Sequence, residues 1–324
     1  MSFKKFAVAG VAAAAVVIAL AGCSKGTPSA SGTNSNIKIC MYTHGDGGTF
    51  WSVAQNGAEA AAKQLGVTLD YQGSSNDSSK QAQMIEAGMK GGCQGIAASA
   101  PDPDAIKTAM LSAHSAGIPT VTLNSGATVF QDLGAFTHFG QDEATAGEAA
   151  GTKLNEMGVT NVLCPIQEAA NSGLTQRCQG VAKTFKGTVT QLNADGALAD
   201  PSGAEAKIKA ALDANPSIDA VIALNADVAT GSVLPAVKAE SGRKIQVGTF
   251  DMSTDALNAI KDGSLSFAID QQQYAQGYFA VMALYQAITN GIELGGGQAV
   301  MTGPSLVTKD NVDKVISGVA AGIR

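Results

Sequence analysis

From about residue 37 onward, the chain repeats one pattern: a short apolar run, a polar turn, and a segment whose apolar residues recur at helical spacing. Residues 50–65 show the helical spacing, with Val53, Gly57 and Leu65 on one face. Strands that alternate with amphipathic helices predict crossover connections and a parallel sheet. The apolar runs lie at residues 37–42, 67–71, 95–99, 120–123, 161–166, 189–192, 218–224, 244–249 and 266–269.

The pattern runs twice, once on each side of about Gly140. The length after residue 36 also exceeds what a single hydrophobic core usually supports. We therefore expect an α/β fold of two Rossmann-like, doubly wound lobes, each with a parallel sheet.

The first 22 residues differ from this pattern. Lys4 and Lys5 precede an apolar run that ends in Leu-Ala-Gly-Cys at Cys23, which is the layout of a secretory signal. The run is shorter than a membrane span requires. Its ending resembles a bacterial lipobox, which implies cleavage before Cys23 and lipidation of that residue; a plain secretory signal with an incidental Cys is the alternative. Residues 23–36 then read as a lipidated Cys and a flexible tether rich in Ser, Gly, Thr and Asn.

Polar side chains follow most of the predicted strands at their carboxyl ends. Open parallel sheets bind ligands in the crevice outside those ends, so two facing lobes would form one cleft lined by acids and amides. Phe50 and Trp51 add an aromatic surface that suits sugar C–H groups, and the combination favours a polyhydroxylated neutral ligand. The residues at the strand ends are His44, Asp77, Asn124, Glu168, Asn225, Asp251 and Gln271.

Each of these residues also has a structural interpretation. Asp and Asn after a strand are common as turn formers and helix N-caps, and Asp77 and Asn225 are the clearest cap candidates. Phe50 and Trp51 could form the first core-facing turn of their helix. The functional interpretation is favoured because so many polar residues stand at the carboxyl ends of predicted strands.

Composition narrows the class of function. Hydrophobic residues make up 45% of the chain and charged residues 15%, an ordinary globular balance, and the net charge is −6. An acidic protein with scattered bases is not expected to bind nucleic acid. The three histidines are too scattered to suggest a metal site, and we expect no metal or cofactor. Gly45-Asp46-Gly47-Gly48 follows a strand but lacks the glycine spacing of a dinucleotide-binding loop, since Phe50 stands where the last Gly belongs. We therefore expect that the protein is not an enzyme.

Four cysteines remain after Cys23. Cys164 and Cys178 lie at a strand end and in the first turn of the next helix, and an oxidising compartment favours a disulfide between them. Cys40 and Cys93 could be paired or could be buried free thiols.

The chain from about Ile37 to its end resembles the sugar-binding proteins of bacterial ABC importers, specifically the ribose-binding-like group. The resemblance rests on motifs in a common order and spacing. They are Thr49-Phe50-Trp51-Ser52 with Gly57, Gly117-Ile118-Pro119 before Leu123-Asn124, Asn225, Gly248-Thr249-Phe250-Asp251, and Phe267 to Gln272 with Gly277.

This resemblance implies two lobes joined by three crossing segments, with crossings near residues 139–140, 270–271 and 301–302. The N-terminal lobe would hold residues 37–139 and 271–301, and the C-terminal lobe residues 140–270 and 302–324. It also implies that Phe50 and Trp51 flank a sugar ring. Hydrogen bonds to the sugar hydroxyls would come from Asp77, Asn124, Asn225, Asp251 and Gln271.

Two departures from the ribose-binding pattern bear on the ligand. Ser125 stands where ribose binders have an Arg, and Thr175 aligns with a second ligand Arg. A hydroxyl does not replace a guanidinium fork. His44, Asp46, Glu168 and Asn171 are candidate replacements, so we expect another aldose, a polyol or a cyclitol rather than ribose.

The expected mechanism is capture by hinge closure, followed by delivery to an ABC transporter permease. We expect a monomer outside the bacterial cell membrane, held there by its lipid anchor. The alternative function is an extracytoplasmic sensor that presents a bound small molecule to a membrane receptor.

Overall fold

A computed structural model describes residues 36–240 and 242–324 of the chain. The predicted signal peptide, the lipidation of Cys23 and nearly all of the predicted tether lie outside these residues. No helix within the described ranges is both long and apolar enough to cross a membrane.

The first of two six-stranded sheets has the order β11-β5-β4-β3-β1-β2, with all its strands parallel. The apolar runs at residues 39–42, 95–99 and 120–123 are buried on both faces, as expected for a parallel sheet covered by helices, whereas residues 68–73 at the sheet edge are partly exposed. Its strands are β1 (Lys38–Thr43), β2 (Thr68–Gly73), β3 (Gly95–Ser99), β4 (Thr120–Asn124), β5 (His138–Gly140) and β11 (Val300–Met301).

The second sheet repeats this arrangement with the order β12-β10-β9-β8-β6-β7. Its strands are parallel except for β12, which pairs antiparallel with β10. They are β6 (Asn161–Ile166), β7 (Thr188–Asn193), β8 (Ala220–Ala223), β9 (Gln246–Phe250), β10 (Phe267–Asp270) and β12 (Ser305–Thr308).

Helices connect the strands in the predicted alternation. They are α1 (Gly48–Leu65), α2 (Ser78–Lys90), α3 (Pro103–Ser115), α4 (Glu143–Glu156), α5 (Ser172–Thr184), α6 (Pro201–Ala214), α7 (Ala226–Val228), α8 (Leu234–Lys238), α9 (Thr254–Asp262), α10 (Gln273–Asn290) and α11 (Ile316–Ala320). A π-helical turn (Ala229–Val233) joins α7 to α8, and short 3₁₀ turns lie at Gln131–Leu133 and Val312–Lys314. The predicted α/β fold with two mostly parallel sheets is confirmed.

The chain passes between the two sheets three times, after β5, after β10 and after β11. We refer to the body around the first sheet as the first lobe and to that around the second sheet as the second lobe. The lobe boundaries given above stay a prediction.

Glycines allow α1 and α10 to pack backbone to backbone on the first sheet. A Cβ on Gly57 would lie 2.0 Å from the Tyr274 carbonyl oxygen, and one on Gly277 would lie 2.0 Å from the Ala54 carbonyl oxygen. No side chain larger than hydrogen fits either position, so these glycines set the distance between the two helices.

Two disulfides are present, and each lies inside one lobe. Cys164 on β6 is bonded to Cys178 on α5, with Cα atoms 6.1 Å apart. Cys40 on β1 is bonded to Cys93 just before β3, with Cα atoms 5.8 Å apart. The sequence had left the second pair open.

Candidate functional site

The polar strand ends of both lobes meet around one cavity. It contains about 470 Å³ of space, part of it open to solvent. Among the residues predicted for the site, those that line it are His44, Phe50, Trp51, Asn124, Glu168, Asn171, Asn225, Asp251 and Gln271. The carboxyl ends of two parallel sheets therefore share this cavity, as the crevice rule requires.

The first lobe contributes an aromatic wall. Trp51, in the first turn of α1, contacts Phe50 and His44 edge to face, with ring centroids 4.9 Å apart in both pairs. Gly45 makes room for the indole, since a Cβ there would overlap it. All three rings are nearly buried, yet they line the cavity, which is the arrangement that packs against the C–H face of a ring-shaped ligand.

His44 is oriented from behind by Ser99. The His44 backbone N–H donates to Ser99 Oγ at 2.8 Å, and Nδ1 lies 2.8 Å from the same oxygen. If the serine hydroxyl donates to Nδ1, the ring proton sits on Nε2, which faces Glu168 Oε2 of the second lobe at 3.7 Å. This pair brings hydrogen-bonding groups of both lobes together at the cavity wall.

Glu168 follows β6 and is held by its neighbour Asn171, whose Nδ2 donates to Oε2 at 2.7 Å. Burial would raise the pKa of Glu168, but His44 and Asn171 outweigh it and the pKa is lowered. Asn171 is also the N-cap of α5, since its Oδ1 accepts from the Gly173 N–H at 3.1 Å. Glu168 therefore offers an ionised acceptor to the cavity at neutral pH.

A network of hydrogen-bonded amide side chains and one carboxylate extends from the crossing segments to the cavity. Gln271 Nε2 donates to Asp251 Oδ1 at 2.6 Å, and Asn225 Nδ2 lies 3.3 Å from Asp251 Oδ2. Behind Gln271, Gln276 Nε2 donates to Gln271 Oε1 at 3.0 Å and lies 3.2 Å from Thr302 Oγ1. The cavity wall is thus hydrogen-bonded directly to two of the three segments that join the lobes.

Asn124 and Asp251 occupy corresponding positions in the two lobes, after β4 and after β9. Both have left-handed backbone conformations, with φ of 61° and 65°. Asn and Asp tolerate this region better than other non-glycine residues, which explains why they stand at these turns.

Asp251 is almost fully buried, with 4% of its surface exposed. Burial raises its pKa to about 6, against the opposing effects of the Arg177 charge and the Gln271 hydrogen bond. A buried carboxylate that is this costly to ionise is stabilised by a ligand hydroxyl that donates to it in addition to Gln271 and Asn225.

Arg177 and Glu143 form a buried ion pair in the cavity wall. Arg177 Nε and Nη2 donate to the two Glu143 oxygens at 2.6 and 2.9 Å, and Nη1 donates to the Leu224 carbonyl at 2.8 Å. The guanidinium also lies over the Phe250 ring. Burial alone would lower the pKa of Arg177, but Glu143 raises it above its ordinary value, so the guanidinium stays charged.

Three predicted site residues lie outside this cavity. Asp77 is exposed and caps α2, with Oδ1 accepting from the Lys80 N–H at 2.9 Å. Asp46 is exposed, bonds to the Ser75 hydroxyl and lines a wider opening next to the cavity. Thr175 is half-buried on α5 and does not line the cavity.

Several lining residues were not predicted: Ser125, Glu143, Gln167, Arg177, Leu198 and Asp227. Gln167 and Asp227 could have been found, because they also follow strands β6 and β8 closely in the sequence. Glu143 and Arg177 lie on helices α4 and α5, and no local pattern in the sequence signals that these helices reach the cavity.

Within the described ranges, one set of potential metal-binding atoms lies close together, on Cys40, Cys93 and Asp70. Both sulfurs belong to the disulfide, and thiolates are the form of cysteine that binds metals. This set therefore does not form a metal site.

Comparison with known proteins agrees with this geometry. A family model described as a periplasmic binding protein domain matches residues 38–292. This chain belongs to the periplasmic binding protein family. Periplasmic binding proteins of this kind are extracytoplasmic solute-binding proteins of ABC importers, so the predicted family and class of function are confirmed.

Individual periplasmic binding proteins are similar over most of their length. The ribose import binding protein RbsB of Bacillus subtilis is 29% identical over 79% of this chain and 83% of its own length. The xylitol-binding protein of Mycolicibacterium smegmatis is 27% identical over 95% of this chain and 87% of its own length. A carbohydrate transporter from Acidothermus cellulolyticus 11B, crystallised in complex with myo-inositol, is 42% identical with a TM-score of 0.85, over 89% of this chain and 99% of that chain.

Proposed function

We propose that this chain is the receptor of an ABC importer and captures a neutral polyhydroxylated ligand, a monosaccharide, a polyol or a cyclitol, by closure of its two lobes. One observation carries the proposal: aromatic rings of the first lobe, carboxylates of the second lobe and amides of both converge on a single cavity. A ligand that bridges these groups stabilises the closed form, because neither lobe alone can supply all of the contacts.

The charges of the lining favour a neutral ligand. Among the described residues that line the cavity, Arg177 is the only Lys or Arg, and its charge is matched by Glu143. Glu168, Asp227 and Asp251 contribute negative charge. A phosphorylated or acidic sugar would therefore meet repulsion without a compensating cation.

A cyclitol is the first candidate within this class. The similar protein from Acidothermus cellulolyticus holds myo-inositol, and Ser125 and Thr175 replace the two ligand arginines of ribose binders. A ring in which each carbon bears a hydroxyl offers donors to Glu168 and Asp251 and C–H groups to Phe50 and Trp51. An unmatched buried acceptor costs roughly 1–3 kcal/mol, so a wrong stereoisomer is rejected.

The remaining parts of the proposal follow from the sequence. Cys23 would carry the lipid anchor, residues 24–36 would act as the tether, and the monomeric body would dock on a permease in the membrane. Replacement Cys23→Ser should release the protein from the membrane fraction of an expressing bacterium.

A thermal-shift panel tests the ligand class. The mature chain with Cys23→Ser is unfolded and refolded to remove any bound sugar, and is then heated with inositols, pentoses, hexoses, acyclic polyols, sugar phosphates and amino acids. A ligand at about 100 times its dissociation constant should stabilise the protein by about 2.7 kcal/mol.

A rise in the melting temperature with one or two neutral polyols, and with no sugar phosphate, is the expected result. A response only to amino acids or to phosphorylated sugars would contradict the proposal. A flat response of the folded protein across the panel would also contradict it.

A further inference from the structure

Helix α1 begins at the cavity without a cap from its own lobe. Its N-cap residue is Gly47, which has no side chain, and the first N–H groups of a helix have no partner within it. The preceding acid, Asp46, is bonded to Ser75 instead.

The missing acceptor comes from the second lobe. Asp227, at the start of α7, accepts from the Thr49 N–H with Oδ2 at 2.8 Å and from the Thr49 hydroxyl with Oδ1 at 2.9 Å. A carboxylate at this end of a helix is also favoured by the helix dipole. Gly48 keeps the approach open, since a Cβ there would lie 3.0 Å from Asp227 Oδ2.

A second contact at a helix start also joins the lobes, but here the donor lies in the second lobe and the acceptor in the first. Helix α5, the counterpart of α1 in the second lobe, begins at Ser172, whose N–H and hydroxyl donate to the Pro101 carbonyl of the first lobe at 3.1 and 2.9 Å. Unlike α1, α5 also has a cap of its own lobe, Asn171. The contact of Asp227 is therefore the one that supplies an otherwise absent cap.

We propose that Asp227 is a latch residue: it caps α1 across the cleft and holds the closed form together, and so increases the affinity for every ligand of the site without selecting among them. The inference rests on the proposed closure of the lobes around a ligand. Because the two partners lie on different lobes, their hydrogen bonds belong to the closed form and count fully toward its stability relative to the open form.

Asp227 also lines the cavity, so a direct contact with the ligand is the competing explanation. Both of its carboxylate oxygens already accept hydrogen bonds from Thr49. A latch changes the affinities of two different ligands by the same factor, whereas a ligand contact changes them by different factors.

The experiment compares Asp227→Ala with a matched control, Asp200→Ala. Asp200 caps α6 through the Gly203 N–H at 2.9 Å, so it also removes a carboxylate cap, but both partners lie in the second lobe. Calorimetry gives the dissociation constants of the two strongest ligands of the panel, and stopped-flow fluorescence of Trp51 gives their dissociation rates.

For Asp227→Ala we expect both dissociation constants to rise by the same factor, about 10-fold, which corresponds to about 1.4 kcal/mol, mainly through faster dissociation. Asp200→Ala should lower the melting temperature and leave both constants unchanged. Thr49→Val removes the hydroxyl donor alone and should have a smaller effect, which largely disappears when Asp227 is already Ala.

Unchanged dissociation constants in Asp227→Ala would overturn the inference, and so would unequal factors for the two ligands. If no ligand of the panel binds, the proposed function fails separately. X-ray scattering of the ligand-free proteins then tests the latch, since Asp227→Ala must be more open than Asp200→Ala, and equal scattering curves would refute it.

Discussion

Asp251→Asn should make the ligand-free protein more stable at neutral pH. The carboxyl is almost fully buried, and burial raises its pKa to about 6. Because a free aspartate has a pKa of about 4, this pKa corresponds to roughly 3 kcal/mol, the free energy by which the ionised group destabilises the native state above pH 6. Asn removes the charge and suits the left-handed backbone at this position, where φ is 65°.

Part of this gain is offset by a lost hydrogen bond. The Asn oxygen can still accept from Gln271, but the amide nitrogen cannot accept from Asn225 as the second carboxylate oxygen does. A neutral hydrogen bond contributes about 1 kcal/mol. We therefore expect the variant to be about 1–2 kcal/mol more stable than the wild type at pH 7.5.

The pH dependence identifies the cause. Since the pKa of Asp251 is raised in the folded state, the stability contributed by its proton is fully present below the unfolded pKa near 4. That stability is lost as the pH rises through about 6. At pH 4.5 the wild type should be as stable as Asp251→Asn or more so, and the order should reverse between pH 5 and 7.

Urea unfolding of both refolded proteins at pH 4.5, 5.5, 6.5 and 7.5, monitored by circular dichroism, measures this difference. A constant stability difference across the series would refute the reasoning, because it would mean that the carboxyl is not the titrating group. The same variant should bind the ligand at least about 10-fold more weakly, since a hydroxyl loses its charged acceptor.

Three further predictions concern other parts of the molecule. Saturating ligand should change the emission of Trp51, the only Trp of the chain, and a bound ligand without any change would contradict its place in the cavity wall. Glu143→Gln should cost about 3–5 kcal/mol of unfolding free energy by leaving Arg177 unpaired, and a loss below 1 kcal/mol would show that Arg177 finds another partner. Replacing Cys164 and Cys178 by Ser should lower stability by about 3 kcal/mol and leave the dissociation constant unchanged; weaker binding would contradict a purely structural role.

The fold was predictable because its main signals are local. Apolar runs and helical spacing repeat within short windows, and nine of the twelve strands lie near their predicted positions. The missed strands are β5, β11 and β12. They lie next to the segments that cross between the two sheets, outside the regular alternation of strand and helix on which the prediction depends.

The site was predictable where one topological rule applies. Asn124, Asn225 and Asp251 follow central strands, and parallel strands bring their carboxyl ends to a common edge. Asp77 follows β2, which is the last strand of its sheet, so it lies away from the cavity and serves as a cap.

Predicting the ion pair of Glu143 and Arg177 requires knowing how two helices pack against each other. Its two members lie 34 positions apart on helices that pack against each other, and the pairing is visible only once those helices are docked. The periodic patterns of strands and helices, with periods of two and 3.6 residues, predict single elements and not a contact between two distant helices.

The backbone contact between α1 and α10 has a mechanical consequence. Helix α1 starts at the aromatic wall of the cavity, and α10 starts just after Gln271, which lines the same cavity and lies in a crossing segment. At Gly57 and Gly277 the backbones of the two helices touch, so no side chain separates them at these positions. We therefore expect the Phe50–Trp51 wall and the crossing segment at Gln271 to keep a fixed distance and to move as one unit when the lobes close.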